Sequence, residues 1–190
     1  MIDPTAASLC QRRDLLIGAL ALTPWLIAPA LGQEDAASLP PQIGDHLAFL
    51  TGPKKGTAMR SEDLELGVQQ LQAFPMDPSG VIRDGSRLNL LVVVKVGTEG
   101  LSDETKERAA DGVVAYSGVC THQACPVNMW MPEISAFICS CHGSTYDPKL
   151  GAEVLGGPAP RRLAALPLKS VGGVLTVSGK FTGKVGAQPV

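Results

Sequence analysis

Aromatic residues are scarce in this chain, 4% in all, with two Trp, two Tyr and four Phe. The large rings that usually dominate a core are mostly missing, so the interior must be built from Val, Leu and Ala. Positive charge gives no footprint either: 16 Lys and Arg stand against 18 Asp and Glu, for a formal net charge of -2. Without a basic stripe there is nothing to track a phosphate backbone, which excludes nucleic acid as a partner. Uninterrupted hydrophobic runs are short as well. The longest, Leu15 to Leu31, has 17 residues and is broken by Pro24 and Pro29, whereas a membrane span takes about 20. Glycine (21) and proline (15) are plentiful, and the chain is 45% hydrophobic over 190 residues. That balance suits one core made of short strands and tight turns, an all-β body rather than a helical bundle.

Residues 1–30 read as a targeting segment. Arg12 and Arg13 precede the apolar run Leu15 to Leu22, and Ala28-Pro29-Ala30 offers a small-x-small cleavage site. The pattern resembles a twin-arginine export signal, with an uncleaved membrane anchor as the alternative. Cleavage after Ala30 would remove Asp3, Asp14, Arg12 and Arg13, two charges of each sign, and leave the net charge unchanged. Cys10 lies in this leader and has no expected role. Residues 31–42 are polar and proline-containing and read as a mobile tether, with the folded domain expected over 43–190.

Within that domain, Ile43 to Leu50 reads as a first short strand. Residues 52–87 read as turns around a polar middle, with Lys54 and Lys55 as solvated charges and His46 as a surface or packing histidine. Leu88 to Val96 is a continuous β-branched run suited to a buried strand, and Val113 to Tyr116 is another. Between them, Leu101 to Ala110 reads as one short helix capped by Ser102. Ala136 to Cys139 is a further strand. Leu163 to Val171 and Val174 to Val177, joined at Gly172-Gly173, read as a closing hairpin.

The two strands that end near Cys120 and at Cys139 deliver the chemistry. Four of the five cysteines and two of the three histidines lie in C-T-H-Q-A-C, Cys120 to Cys125, and C-S-C-H-G-S-T-Y-D, Cys139 to Asp147. The arrangement asks for a metal. Cys120-x-His122 and Cys139-x-x-His142 each supply one sulfur and one nitrogen, unlike zinc knuckles, which take two cysteines from one loop and two histidines from another. Cys125 and Cys141 alternate with these four, so a bond between them could staple the loops. Such a bond would contribute about 3 kcal/mol in the chain-entropy model and would need the oxidising compartment that an export signal leads to.

These motifs resemble the Rieske iron-sulfur family, whose loops read C-T-H-x-G-C and C-x-C-H-G-S and whose site is closed by a Gly-Pro-Ala-Pro loop, here Gly157-Pro158-Ala159-Pro160. The resemblance runs from Leu88 to Val177. It implies a small antiparallel β-sandwich carrying a cluster-binding subdomain of two loops and a Pro loop. It also implies a 2Fe-2S cluster with Cys120 and Cys139 on one iron and His122 and His142 on the other, a Cys125–Cys141 disulfide, and hydroxyls of Ser144 and Tyr146 donating to cluster sulfurs. Ala124 departs from the family's glycine and Ser140 from its proline, and a Cβ at 124 is unwelcome if the backbone there has positive φ. The ligand set has an electrostatic consequence. Two thiolates cancel the +2 of a diferric core and neutral imidazoles add nothing, so the site accepts an electron more readily than a four-thiolate site.

Function then divides. Ring-hydroxylating oxygenases need a second catalytic domain for which about 160 mature residues leave no room, and like cytoplasmic Rieske ferredoxins they lack the disulfide cysteines. What remains is an exported electron-transfer subunit without a catalytic site of its own, periplasmic or held at the periplasmic face of the inner membrane. The resemblance to quinol:cytochrome c reductase subunits implies a quinol-oxidising cytochrome complex as donor and a c-type cytochrome as acceptor. The resemblance to arsenite-oxidase small subunits implies a molybdenum catalytic subunit instead.

Overall fold

The computed structural model describes residues 35–187; the leader reading of residues 1–30 lies outside them. The architecture is antiparallel and nearly all β. Strands β1 (His46–Phe49), β2 (Leu71–Met76), β3 (Leu91–Lys95), β4 (Val113–Ser117), β9 (Leu168–Val171) and β10 (Val174–Val177) form a six-stranded sheet in the order β4-β3-β2-β1-β10-β9. Strands β5 (Met129–Met131), β6 (Ala136–Cys139), β7 (Ser144–Asp147) and β8 (Glu153–Gly156) form a second, meandering sheet inserted between β4 and β9. Residues 164–166 run beside β4, with Ser117 N–H donating to Ala164 O and Leu166 N–H to Ala115 O, and return the chain to the first sheet.

β3 and β4 are buried on both faces, which is why they read as unbroken apolar runs. Alternation sends Val92, Val94, Val114 and Tyr116 into one hydrophobic cluster and Leu91, Val93, Val113 and Ala115 into another. The first cluster also holds Phe137, Tyr146, Cys120 and Cys139. The packing that supports the sheets therefore reaches the base of both cysteine loops. Tyr116 anchors that layer, edge-on to Phe137 and with its hydroxyl donating to Pro148 O at 2.7 Å.

Several expectations are corrected. Residues 52–87 are not only turns: β2 is a six-residue interior strand, concealed by Pro75. An extended residue points its N and O to the same side, and Pro75 O accepts from Arg83 N. The missing N–H therefore faces a short neighbouring segment beyond Ala73, where pairing with β3 ends. The helix is a single turn, α1 (Asp103–Lys106), with Ser102 Oγ accepting from Thr105 N as its cap. It tightens to i+3 bonds at Arg108 and Ala109 and stops where Ala110 pairs with Val113.

Residues 35–42, expected as part of a mobile tether, are fastened to the body. Gly85 N donates to Ala37 O, Asn89 Nδ2 to Leu39 O, and Arg83 Nη1 to Ala36 O. Arg83 is itself held by a bidentate bond to buried Asp45, at 2.6 and 3.0 Å. Lys54 is not simply solvated but pairs with Asp63 at 2.5 Å. The closing hairpin begins at Leu168 rather than Leu163.

Candidate metal centre

The two cysteine loops are built alike. In the first, Ala124 N donates to Cys120 O at 3.0 Å; in the second, Gly143 N donates to Cys139 O at 2.9 Å. Each loop thus closes a five-residue turn, and the closing residue is left-handed in both, Ala124 at φ 56° and Gly143 at φ 72°. Cys120 N also donates to Cys125 O. This backbone presents Cys120 and Cys139 inward and His122 and His142 toward the rim.

The Cys120 and Cys139 thiols are each 1% exposed and unbonded, while Cys125 and Cys141 form a disulfide across the loops. The Cys139 sulfur lies within 4.8 Å of both disulfide sulfurs. The imidazoles meet edge to face with centroids 4.8 Å apart, His122 half-buried and His142 exposed. Tyr146 Oη sits 3.2 Å from Cys120 Sγ and 3.5 Å from Thr121 Oγ1, and Thr121 Oγ1 donates to Arg161 O at 2.7 Å. All eight residues named from the sequence, Cys120, His122, Cys125, Cys139, Cys141, His142, Ser144 and Tyr146, are brought to one place. Thr121 and Arg161 were not named; the only sequence signal for them was adjacency to the C-x-H motif and to the Pro loop.

The Pro loop packs on the backbone of the second cysteine loop at Gly143 and Ser144, and its fit depends on Gly157. A Cβ there would lie 2.5 Å from Ser144 Cα and 2.8 Å from Gly143 O, so only glycine lets the two backbones touch.

Burial pushes the Cys120 thiol up, but the hydrogen bond from the Tyr146 hydroxyl, the backbone N–H of His122 and the closeness of the polar Cys139 and Ser144 side chains outweigh it, and the group lies below its ordinary value. Burial raises Cys139; the Cys141 N–H partly offsets this, while the adjacent Cys120 adds to it. Tyr146 is likewise raised, by burial first and then by Cys120. Two neighbouring buried thiols do not both ionise without a cation, and a bound metal is what draws off both protons.

The residues fit the 2Fe-2S cluster that the motifs imply. Two buried polar atoms at the site, His122 Nδ1 and Ser144 Oγ, have no protein hydrogen-bond partner. Leaving such groups unmade costs about 1 to 3 kcal/mol each, and both lie among the two soft sulfurs and two imidazoles that such a cluster takes.

The structure also shows the cost of the Ala124 departure. A non-glycine residue in the left-handed region costs about 1 to 2 kcal/mol, against the smaller unfolded-state penalty of glycine. Ala124→Gly is expected to stabilise the protein by about 0.5 to 1 kcal/mol and raise Tm by about 1 to 4 °C in thermal unfolding. Gly143→Ala, with nothing within 4 Å of the added Cβ, should lose a similar amount by strain alone. Equal midpoints for all three proteins would show that the loops absorb the strain.

Comparison with known proteins bears on the same residues. The family model for the Rieske [2Fe-2S] domain matches residues 67–167. A putative respiratory nitrate reductase Rieske subunit from Haloferax mediterranei is 32% identical over 96% of this chain and 82% of its own length. The cytochrome bc1 complex Rieske iron-sulfur subunit of Streptomyces coelicolor is 27% identical over 92% of this chain, but this chain spans only 51% of that protein. Among solved structures, the plasma membrane Rieske protein PetC3 from Synechocystis PCC 6803 aligns with a TM-score of 0.43 and 26% identity, over 63% of this chain and 95% of that one. With two like-built loops bringing two buried thiols and two imidazoles together under a glycine-tight Pro loop, and with this family match over more than half its length, the chain belongs to the Rieske [2Fe-2S] domain family.

Proposed function

We propose that this chain is an exported, high-potential electron-transfer subunit that takes single electrons from a quinol and passes them to a c-type cytochrome. The observation that carries the reading is the pair of buried hydroxyls at the thiols: Tyr146 Oη 3.2 Å from Cys120 Sγ, and Ser144 Oγ without a protein partner. Cys120, Cys139, His122 and His142 would hold the cluster, which when bound supplies one-electron redox chemistry. The protein's own part is to keep the thiols dry, to direct hydroxyl protons at the sulfurs, and to leave the imidazole edge for a partner. His142 is exposed while both thiols are buried, so a donor meets the site at its histidine end.

Mixing the purified, oxidised protein with a reduced quinol and then with ferric cytochrome c tests the transfer. Cluster reduction in the first step and cytochrome reduction in the second are expected; inertness toward quinol at a matched potential would reject the donor assignment.

A second reading has its own support, since the nitrate reductase relative spans nearly the whole chain. In that case the partner is a metal-containing catalytic subunit of a respiratory enzyme, of the molybdenum type, which takes electrons from this chain where it reduces its substrate and supplies them where it oxidises it. Purifying the native complex separates the two: a haem b spectrum supports the quinol reading, and a molybdopterin cofactor supports the other.

Export is part of the proposal. The Cys125–Cys141 disulfide suits an oxidising compartment, and the Arg12-Arg13 leader suits delivery to the periplasm or its membrane face, soluble or anchored. Replacing both arginines by lysine is expected to leave cluster-loaded protein in the cytoplasm. Unchanged periplasmic delivery would point to an ordinary secretory route.

A further inference from the structure

We propose that Arg161 is a positioning residue for this centre, clamping the C-terminal segment 182–187 as a strap against the first cysteine loop while its own carbonyl fixes the Thr121 hydroxyl beside Tyr146. The idea rests on the cluster assignment above and adds to it a part of the chain outside the matched family region.

Arg161 follows the Pro loop directly, and its two ends do different work. Its guanidinium donates from Nη1 to Lys184 O at 2.6 Å and from Nη2 to Gly186 O. A planar fork can hold two carbonyls in this way and an ammonium cannot. Thr182 secures the start of the strap: its N–H donates to Ala165 O at 2.9 Å, and its Oγ1 accepts from Ala165 N at 3.0 Å.

The strap then presses on loop one. Gly186 is buried at φ 70°, and a Cβ built there would stand 3.1 Å from Val119 Cγ1 and 3.8 Å from Ala124 Cβ. Val119 precedes Cys120, and Ala124 closes the turn that carries Cys120 and His122. Gly186 therefore backs both ends of that turn, at the very residue held in a strained conformation. Arg87 Nη2, donating to Ala124 O at 3.0 Å, is the other brace.

The Arg161 carbonyl acts on the hydroxyl network. A carbonyl only accepts, so the single Thr121 proton is committed to it. Toward Tyr146 the Thr121 oxygen can then only accept. Tyr146 is left as the donor, with its proton directed between Thr121 Oγ1 and Cys120 Sγ. Releasing the clamp lets loop one move relative to the Pro loop, and it lengthens the hydrogen bonds that favour the reduced site.

The test uses full-length exported protein in four forms: wild type, Arg161→Lys, Arg161→Gln and Gly186→Ala. Lysine keeps the charge without the fork, and Gly186→Ala lifts the strap with Arg161 intact, so the proposal survives failure of any one variant to fold. Amide exchange of residues 182–187, the rate of cluster bleaching in chelator, the EPR spectrum of the reduced site and its potential are read together. All three variants are expected to lose exchange protection in the strap and to bleach about tenfold faster. The one-electron equilibrium should shift about threefold toward the oxidised form, about 28 mV lower at 59 mV per decade, with altered EPR g values.

Wild-type protection and potential in Arg161→Lys would overturn the clamp. Loss of strap protection with unchanged bleaching, spectrum and potential would overturn its coupling to the site. A wild-type protein without iron would instead overturn the cluster assignment.

Discussion

Cys139→Ser is expected to yield a folded, colourless protein with essentially no iron, where the wild type carries two irons and two labile sulfides per chain. The reason is the environment of the sulfur. Cys139 ends β6, is 1% exposed, packs in the same cluster as Phe137 and Tyr146, and lies within 4.8 Å of the disulfide. A serine oxygen there is a harder donor than a thiolate, and ionising it in this buried place is far more costly. Folding should survive, because burying one hydroxyl costs about 1 to 3 kcal/mol and the Cys125–Cys141 staple remains. That disulfide closes a separation of 16 residues, for which the chain-entropy model gives about 3 kcal/mol. Iron and sulfide analysis, with mass spectrometry of the disulfide on the same sample, checks both halves. Full iron content in the variant would remove Cys139 from the ligand set, and a zinc-replete, colourless wild type would remove the cluster.

Why this site could be read from the chain while much of its support could not has a physical explanation. Ligands on two short loops must be close in sequence to each loop's own turn, so Cys120, His122, Cys139 and His142 form local patterns. β3, β4 and β6 are legible because burial on both faces, or on one face and against a core, forces continuous or alternating apolar residues. β2 is not, because its single proline looks like a turn until the side to which its N and O point is known. β5, β7 and β8 have three or four residues each, too few to establish a period. The residues that brace the cysteine loops from behind escape for another reason. Arg161 touches Lys184 and Gly186 through backbone carbonyls, which every residue has, so nothing in the identities of its partners marks the contact. The same holds for Arg83, Asn89 and Gly85, which fasten residues 35–42 through carbonyls and an N–H. Ala124 is the instructive middle case: its departure from the motif was visible, but its consequence depended on a φ of 56° that no composition reveals.

Removing the hydroxyls tests how the protein sets the potential of the site. Each hydroxyl that donates to a sulfur stabilises the more negative, reduced state over the oxidised one, so Ser144→Ala and Tyr146→Phe should both lower the potential. A hydrogen bond to a charged group is worth about 1.5 to 3 kcal/mol, and about 1.4 kcal/mol corresponds to 59 mV for one electron. The bond exists in both redox states and only the difference counts, so the expected shift is on the order of 50 to 130 mV per hydroxyl. The structure ranks the two. Tyr146 Oη has two acceptors in reach, Cys120 Sγ at 3.2 Å and Thr121 Oγ1 at 3.5 Å, and part of its proton is spent on the threonine. Ser144 Oγ is fully buried with no protein partner, so its whole donor capacity is available to a cluster sulfur. Ser144→Ala should therefore give the larger drop. Both variants keep the shape of the loop, and iron content should be retained. Protein-film voltammetry reads the shifts directly. Shifts below about 20 mV with the cluster intact would reduce both residues to loop packing, and a larger drop for Tyr146→Phe would mean that the Thr121 oxygen, although its own proton is held by the Arg161 carbonyl, does not draw on the tyrosine proton at all.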